Sequence, residues 1–540
     1  MRGTTRSASR VAAYVASGAL VVSSTLLAAT PAEAAPDPIG TNQGANWLAG
    51  QVPSSGLVPG QFGGPDVGVS IDTAQSLRTA GSHDDTVDQI ADAIQADGLS
   101  YIQYEYDFDS DNDGTDETYT GQAANATAKA MALFQTLSPA RTTIGGINLQ
   151  ERLEALTAGS GRIGDVSKKD GADDGQDYAN TLGQAFAAYA LTKAGSPEAE
   201  EAVSFLLEQQ CPNGGFRLEF TADCTDSATA ETDVTAIALQ QLNLIPTTVP
   251  ITAAKTAATT WLVSAQKDDG SWGGGTSTEA SNSNSTGLAA SALGDTPQSE
   301  QAAKWLRARQ ATHYNVCDKL SGSRGAIAYD GAALTTGRNS GIVGDANKDQ
   351  WRRATSQALP AMAYLPEDTT PAVPVLTGPS GYLKAGSTRG LTTRGVGAGD
   401  KLCVTGPGAK VQGTATGSSK ILPVKLPAGT ATRTYRVWDS WGHTDTGSVK
   451  VVGKKTLPLY KTKSTVKRSG WVTVRIGGLA SREAAKIWYK GKVVRSGYAT
   501  TGGVFSASFK VGSSLGRKNI VGHGQYGDIR RGATTVRVVR

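Results

Sequence analysis

Four stretches within the first 310 residues repeat one short pattern, and this repeat limits the possible fold more than any other feature. The stretches are ANWLAGQ at 45–51, VSFLLEQQ at 203–210, TTWLVSAQ at 259–266 and AKWLRARQ at 303–310. Each pairs an aromatic residue with Leu, ends in Gln and closes an amphipathic helix. Less regular helices at 86–96 and 148–158 bring the predicted set to six. Such repeats predict stacked helical units, since one unit alone cannot bury its apolar face.

Gly-rich turns separate these helices from a second set that is richer in Ala. The second set is predicted at 72–81, 125–137, 180–195, 233–242, 284–294 and 353–365. Small residues at close intervals let helices approach tightly, which suits an inner ring packed on both sides. Six outer and six inner helices predict a closed α/α toroid, because closure gives every helix pair a neighbour.

The stretch QKDDGSWGG at 266–274 matches the Q-x-x-D-G-x-W repeat of squalene cyclases. The span of about 43–366 therefore resembles the superfamily of squalene cyclases, protein prenyltransferases and cobalamin carriers, as a secreted bacterial protein with prenyltransferase/squalene-oxidase repeats. The resemblance implies an α6/α6 toroid of six helix pairs. In the cobalamin carriers a ligand sits at the toroid mouth, beneath a β domain. Because one fold supports many functions, the function depends on the site.

The last third of the chain alternates apolar and polar residues between Gly and Ser turns. This period-2 pattern predicts short antiparallel strands. They resemble two immunoglobulin-like (Ig-like) sandwich domains of bacterial surface proteins, at 381–452 and 453–540. A Pro-rich linker at 367–380 divides them from the toroid, which is assigned to 36–366. The predicted fold is therefore multidomain, all-α followed by all-β.

The N-terminus resembles an export signal. Three arginines precede an apolar run, and Ala32-Glu33-Ala34 follows as a small-x-small cleavage pattern. These features predict a secretory signal peptide at 1–34. No second stretch of about 20 apolar residues follows, so no transmembrane anchor is expected. We expect a secreted protein, extracellular or associated with the cell wall.

Export makes disulfides possible, and the chain has four cysteines. Cys211 and Cys224 bracket a short Gly-rich loop and predict a local disulfide. Cys317 and Cys403 are distant in sequence from each other and from this pair. The sequence favours two buried thiols at these positions, with a bond between domains as the alternative.

Charge divides the chain into two unlike parts. Residues 371–540, the tail, have 29 Lys and Arg against 5 Asp and Glu, a net charge of +24. Residues 36–370 have 20 basic and 42 acidic residues, a net charge of −22. The tail predicts binding to anionic wall polymers such as teichoic acids, with acidic lipid headgroups or the acidic toroid as alternatives. Nucleic acid is not an expected partner of an exported protein.

The stretch ETDVTAIALQQL at 231–242 resembles the DxDDTA acid signature of squalene cyclases. It makes Asp233, with Glu231 beside it, the candidate catalytic acid. The corresponding or adjacent positions of the other inner helices are Asp72, Asn125, Asn180 and Asn284. Asn cannot act as an acid, and the second Asp of the signature is Val234, so the sequence favours helix capping or repeat packing over catalysis. The inner helices also lack the Asp, Cys and His set that a prenyltransferase zinc site requires.

Polar residues of the inner helices are predicted to face a central funnel that can hold a small ligand. The funnel residues are Asp72, Gln75, Asn125, Lys129, Asn180, Gln184, Asp233, Asn284 and Gln357. The alternative is that these side chains bond to one another and to water. The aromatic residues of the inner helices are Phe134, Phe186, Tyr189 and Tyr364. This set is small for a cavity that stabilises cations, as a cyclase must.

One stretch resembles a calcium loop. DFDSDNDGTDETYT at 107–120 places Asp109, Asp111 and Asp113 at loop positions 1, 3 and 5. Position 12, where a bidentate Glu is expected, is Thr120. The stretch predicts either a calcium site or an acidic solvated loop, and calcium is the one cofactor that the sequence suggests.

Together these features predict a secreted, non-catalytic binding protein associated with the cell wall. Its acidic toroid is the scaffold for a ligand or protein, and its basic β tail binds an anionic wall polymer. A terpenoid cyclase or prenyltransferase-like enzyme with Asp233 as its acid is one alternative. An extracellular carrier of a cobalamin-like small ligand is the other.

Overall fold

The computed structural model describes residues 38–112, 114–220, 224, 229–275, 278–366 and 373–540. The predicted signal peptide at 1–34 lies outside the described residues. So do Asp113 and the first six residues of the predicted linker.

The first half of the described chain is mainly helical. Its helices are α1 (Pro38–Ala49), α2 (Val67–Thr79), α3 (Asp84–Asp97), α4 (Leu99–Ile102), α5 (Ala124–Phe134), α6 (Leu149–Ala155), α7 (Thr181–Ala194), α8 (Ala199–Glu208), α9 (Thr232–Asn243), α10 (Val249–Ala265), α11 (Ser283–Leu293), α12 (Pro297–Arg307), α13 (Gly331–Ser340) and α14 (Asp345–Ala358). Short 3-10 helices cover His313–Cys317 and Leu359–Tyr364. Every helix predicted from the sequence overlaps one of these, whereas α4 and α13 were not predicted.

Six of these helices form a cycle of contacts. In chain order α2, α5, α7, α9, α11 and α14 each pack against the next, and α14 packs against α2. The helices α1, α3, α6, α8, α10 and α12 each pack against at least one member of the cycle. Small residues permit the close approach: a Cβ on Gly183 would lie 1.7 Å from Asn125 Oδ1, and one on Gly287 would lie 2.4 Å from Ala358 Cα.

A recurring glutamine side chain joins neighbouring outer helices. Three glutamines follow α8, α10 and α12, and the Nε2 of each donates to a carbonyl of its own turn and to a carbonyl of the next outer helix. The acceptors are Gly214 and Ala254 for Gln210 (2.8 and 2.9 Å), Gly270 and Gln298 for Gln266 (3.0 and 2.9 Å), and Gly325 and Gly40 for Gln310 (3.0 and 2.8 Å). Gly40 belongs to α1, so the third glutamine joins the last outer helix to the first.

Short strands lie between the helices. They are β1 (Gln103–Phe108), β2 (Glu117–Gln122), β3 (Thr143–Ile144), β4 (Ile147–Asn148), β5 (Val166–Lys169), β6 (Ala172–Asp173), β7 (Phe216–Arg217) and β8 (Ala230–Glu231). Strands β1, β2, β5 and β6 form one sheet in that order, and β3 with β4 and β7 with β8 form two hairpin-like pairs.

The second half of the chain is β-rich. Its strands are β9 (Val375–Thr377), β10 (Tyr382–Lys384), β11 (Thr388–Arg394), β12 (Lys401–Gly406), β13 (Ala409–Thr414), β14 (Ser419–Lys425), β15 (Ala431–Trp438), β16 (Thr444–Val452), β17 (Lys455–Thr456), β18 (Leu459–Lys461), β19 (Thr465–Lys467), β20 (Trp471–Ile476), β21 (Ala484–Tyr489), β22 (Lys492–Tyr498), β23 (Phe505–Lys510), β24 (Gly516–His523) and β25 (Arg530–Val539).

These strands form two pairs of sheets. The first pair has the orders β10-β16-β15-β12-β13 and β14-β11-β9; the second has β17-β25-β24-β21-β22, with β19 also on β25, and β18-β20-β23. Each pair encloses its own apolar core, around Tyr435 in the first and Phe509 in the second. This arrangement is consistent with Ig-like domains.

A buried ion pair lies where the two pairs of sheets meet. The guanidinium of Arg530 donates to both carboxylate oxygens of Glu483 at 2.7 and 2.8 Å, and both side chains are excluded from water. The same guanidinium donates to the carbonyl of Gly453 at 3.1 Å, directly after β16. These bonds tie the end of the first pair of sheets to the core of the second.

The structure has two disulfides. Cys211 is bonded to Cys224, as the loop predicted. Cys317 is bonded to Cys403, so the interpretation of these two as buried thiols is wrong. The 3-10 helix that contains Cys317 packs against β12, which brings cysteines 86 positions apart to a Cα separation of 5.9 Å. Disulfides are typical of chains that fold in an oxidising compartment.

No helix among the described residues is long and apolar enough to cross a membrane.

The glutamine that links the last outer helix to the first is expected to stabilise the helical half. Gln310→Leu removes both hydrogen bonds to carbonyls and the acceptor of Arg307, whose guanidinium donates to Gln310 Oε1 at 2.5 Å. We expect the free energy of unfolding to fall by about 1–3 kcal/mol. Urea denaturation measures it, with Gln61→Leu at an exposed turn as the control. An unchanged midpoint for Gln310→Leu would contradict the structural role.

The two disulfides are expected to differ in their effect on stability. In the chain-entropy model a loop of the length closed by Cys317 and Cys403 contributes about 4.5 kcal/mol, and the Cys211–Cys224 loop about 3 kcal/mol. The double variant Cys317→Ser/Cys403→Ser should therefore lower the denaturation midpoint more than Cys211→Ser/Cys224→Ser. Guanidinium titrations of the two variants test the order, and the reverse order would refute it.

Candidate ligand-binding sites

A cavity of about 1060 Å³ opens among the helices of the contact cycle. Residues of α2, α5, α7, α9, α11 and α14 all contribute to its lining. Pockets for small ligands generally measure about 300–1000 Å³, so this cavity has room for a ligand at the large end of that range.

The structure places six of the nine predicted funnel residues in the lining. They are Asp72, Gln75, Asn125, Lys129, Asn180 and Gln357. The other three, Gln184, Asp233 and Asn284, are not among the residues that line this cavity. Whether any of the nine contacts a ligand stays a prediction.

Gln184 is fully buried in helix-to-turn contacts, which explains why it does not reach the cavity. Its Nε2 donates to the carbonyls of Gly161 and Ala202 at 2.8 and 2.9 Å, and its Oε1 accepts from the backbone N–H of Ile163 at 3.0 Å. It thereby joins the turn after α6 to α8. Because α6 has no terminal glutamine of its own, the inner helix supplies the equivalent amide.

Two of the charged residues of the lining are paired with each other, and a third pairs with acids outside the lining. Lys129 Nζ lies 2.5 Å from Asp72 Oδ1 across the α2 and α5 contact. Burial lowers the pKa of Lys129, but Asp72 and Tyr101 together outweigh burial and the pKa is raised overall. Arg353 pairs with Asp66 at 2.6 Å and with Asp349 at 2.8 Å. Among the described residues, therefore, the acid that lines the cavity from α2 has a neighbouring cation as its ion-pair partner.

The cavity has more aromatic residues than the sequence suggested. Phe186, Tyr189 and Tyr364 line it as inner-helix residues, whereas Phe134 is fully buried elsewhere. Tyr101, Tyr104 and Tyr178 also line it; Tyr101 lies on the short helix α4, Tyr104 on β1 and Tyr178 before α7. The inference of a cavity poor in aromatic residues was wrong because these three residues lie outside the helices predicted from the sequence.

Asp233 lies in the first turn of α9, away from the cavity lining. Burial raises the pKa of its carboxyl group; the Ser285 hydroxyl opposes this, and the Glu231 charge adds to it. Its Oδ1 has no hydrogen-bond partner among the described residues, and the same holds for Asn284 Oδ1. Asp233 is therefore a nearly buried acid with a raised pKa.

Helix capping accounts for only one of the five aligned Asp and Asn positions. Asn180 caps α7 and accepts from the backbone N–H groups of Leu182 and Gly183. The caps of α2 and α11 are Asp66 and Asn282, so the aligned residues Asp72 and Asn284 lie inside those helices. The capping explanation is thus correct for Asn180 and wrong for Asp72 and Asn284.

The calcium-like loop is described in part. Asp109 Oδ2 accepts from the backbone N–H of Gly114 at 3.0 Å, and Asp113 lies outside the described residues. Glu117, at loop position 9, accepts from the backbone N–H of Ser110 at 2.8 Å and pairs with Lys169 at 2.9 Å. These two contacts lower the pKa of Glu117 to about 2. No cluster of three metal-binding side chains occurs among the residues that the structure describes. Calcium binding stays a prediction.

The outer face of the larger sheet in the second pair is strongly basic. We call this surface the basic sheet face; its residues are Lys467, Lys486, Arg517, His523, Arg531 and Arg537. The strand registers place them on one side, because Arg517 is opposite Arg537, and His523 is opposite both Arg531 and Lys486. Partial burial lowers the pKa of His523, and the charges of Arg531 and Lys486 lower it further.

Acidic residues do not balance this surface. Residues 453–540 have two, Glu483 and Asp528. Glu483 is buried against Arg530, and Asp528 pairs with Lys384. Among the described ion pairs, none joins a Lys or Arg of the tail to an acid of the helical half. The basic sheet face is therefore available for an external anion.

No protein-family model matches this chain, and no curated protein matches it. Among solved structures, a protein from Actinoplanes is 18% identical, with 60% of this chain and 98% of that chain covered and a TM-score of 0.38. A type II terpene cyclase from Scytonema is 17% identical over 56% of this chain and 80% of its own, with a TM-score of 0.30. The Escherichia coli adhesin FdeC is 15% identical over 31% of this chain and 63% of its own, with a TM-score of 0.23. At these scores the likenesses assign no function.

The raised pKa of Asp233 predicts a pH-dependent effect of its replacement. Because the folded pKa is raised above 3.8, the stability that the protonated carboxyl contributes is complete below 3.8 and is lost as pH rises through the folded value. Asp233→Asn should therefore be more stable than the wild type at neutral pH. At a pH below the pKa of Asp233 in the unfolded chain, the two proteins should be equally stable. Urea denaturation at both pH values measures this, with the exposed Asp268→Asn as the control. A less stable variant at neutral pH would contradict it.

Proposed function

We propose that this chain is a secreted, non-catalytic binding protein, retained at the cell wall by an anionic wall polymer that binds the basic sheet face. The observation that carries the proposal is the direct opposition of Arg517 and Arg537, beside Arg531, His523 and Lys486, with no acid on the same surface among the described residues.

Like charges directly opposite one another destabilise a sheet. A polyanion relieves this repulsion, and guanidinium groups bind phosphate in a bidentate geometry. A phosphate-bearing wall polymer such as teichoic acid supplies repeated negative charges along one chain. Its attraction for exposed cations is screened by salt over about 8 Å at physiological ionic strength. Binding at this surface should accordingly weaken as salt rises.

For the helical half we propose an α6/α6 toroid, with 36–366 as one domain and 381–452 and 453–540 as two Ig-like domains. The cycle of six inner helices and the Gln310 link from the last outer helix to α1 support this assignment. We propose that the central cavity binds a small ligand while the tail binds the wall polymer. The paired charges and the free amides of the lining suit reversible binding.

Two observations favour binding over a cyclase activity. A cyclase acid must face its substrate, whereas Asp233 does not line this cavity. Asp72 does line it, but it is ion-paired with Lys129 at 2.5 Å and is not free to contact a substrate. The carrier alternative expects a β domain over the ligand, and none of the lining residues of this cavity belongs to the β-rich half.

Retention of the full chain on immobilised teichoic acid tests the proposal. Arg517→Glu/Arg537→Glu should elute at a lower NaCl concentration than the wild type, because two phosphate-binding cations become repulsive. The matched control is Lys410→Glu/Lys425→Glu, which makes the same change of net charge at exposed positions of the first pair of sheets. Equal shifts for both variants would show that net charge alone matters. Absence of retention for the wild type would reject the wall-polymer partner.

A further inference from the structure

Most charged residues that line the central cavity already have partners within the protein. Lys129 is paired with Asp72, and Arg353 is paired with two aspartates outside the cavity. Asp165 accepts from the backbone N–H groups of Ala124 and Tyr178 at 2.7 and 3.1 Å. The remaining charged lining residue is Arg78, which is exposed. A ligand of this cavity therefore needs no charge of its own.

Several polar side chains of the lining have hydrogen-bonding capacity to spare. Gln241 is 8% exposed, and its amide group bonds to nothing among the described residues. The amides of the half-buried Gln75 and Gln357 also bond to no other described residue, and Ser291 Oγ is buried without a partner among these residues. The three glutamines line the cavity and the Ser291 hydroxyl has no partner there, so these positions favour a ligand that both donates and accepts.

Aromatic side chains continue from the cavity to the surface. We call Tyr104, Tyr106, Phe108 and Tyr119 the aromatic row. Tyr104 lines the cavity, and Tyr106 and Phe108 follow it at alternate positions of β1, so the three share one face. Tyr119 on β2 is opposite Tyr106, and their rings stack with centroids 5.3 Å apart. Tyr106 and Phe108 are 52% and 59% exposed, which is unusual for clustered aromatic residues without a partner.

From these observations we propose that the cavity and the aromatic row bind one neutral oligosaccharide, with one end in the cavity and the remainder along the row. This inference rests on the proposed role of the cavity as a ligand site. Each sugar hydroxyl donates and accepts, as the free amides require, and the C–H faces of a sugar ring pack against aromatic rings. An apolar ligand leaves the Gln241 amide unpaired, and an ionic ligand finds every charged residue of the lining except the exposed Arg78 already partnered.

Saturation-transfer NMR and calorimetry on the full chain test the proposal, with cello-, chito-, xylo- and malto-oligosaccharides of increasing length as probes. Gln241→Leu/Gln357→Leu should weaken binding by about tenfold or more at every length, since several hydrogen bonds are lost. Tyr106→Ser/Phe108→Ser should weaken the binding of long probes and leave disaccharide binding unchanged. Gln61→Leu, an exposed change outside the cavity, should have no effect.

Salt separates this site from the basic sheet face. Oligosaccharide binding should persist in high salt, whereas teichoic acid binding should be lost. Retention of each cavity variant on teichoic acid at low salt also shows that the variant is folded. Binding of no probe, or equal binding by Gln241→Leu/Gln357→Leu and the wild type, overturns the oligosaccharide assignment.

Native mass spectrometry of protein taken from culture distinguishes failure of the oligosaccharide assignment from failure of the cavity as a ligand site. One outcome is a bound mass that is not a sugar, present in the wild type and absent from Gln241→Leu/Gln357→Leu. That result would overturn the oligosaccharide assignment but keep the cavity as a ligand site. Absence of any bound mass together with binding of no probe would overturn both. The wall-polymer proposal is judged separately, by its own retention experiment.

Discussion

The helical half depends on one repeated interaction, the donation of two hydrogen bonds from a buried side-chain amide to carbonyls of adjacent units. Turns at the ends of helices expose backbone carbonyls that must find a donor when they are buried. Gln210, Gln266 and Gln310 meet this requirement after three outer helices, and Gln184 meets it from an inner helix. Because every amide also reaches the following unit, the same side chain satisfies the carbonyl of a turn and holds neighbouring units together.

Closure of the contact cycle determines what the interior can be. Helices that approach as closely as α11 and α14 at Gly287 leave no room for large side chains between them. Small residues at the contacts leave the polar residues of the same helices to face inward, where Asp72 and Lys129 neutralise each other. The interior is therefore a cavity lined by both polar and aromatic residues, with an ion pair between two of its charged residues, and a wholly apolar chamber would need different residues at these positions.

The helices and the β-rich half could be predicted because hydrophobic period is a local property of sequence. The contents of the cavity were predicted in part, for the same reason: Asp72, Gln75 and Gln357 follow from helical spacing. Tyr101, Tyr104 and Tyr178 could not be found this way, since they lie outside the helices that the hydrophobic period predicts. The Cys317–Cys403 bond was misjudged because it depends on how two distant elements dock. Strand register likewise decided which basic residues share one surface.

The same disulfide has a mechanical consequence. For a tail bound to the wall as proposed, a pulling force that reaches Cys403 passes through the disulfide to Cys317 and bypasses the 85 residues between them. The covalent bond, and not the connecting segment, then transmits that force to the helical half. The tail is thus joined to the helical half at two points of the chain, and the connecting segment need not bear the load.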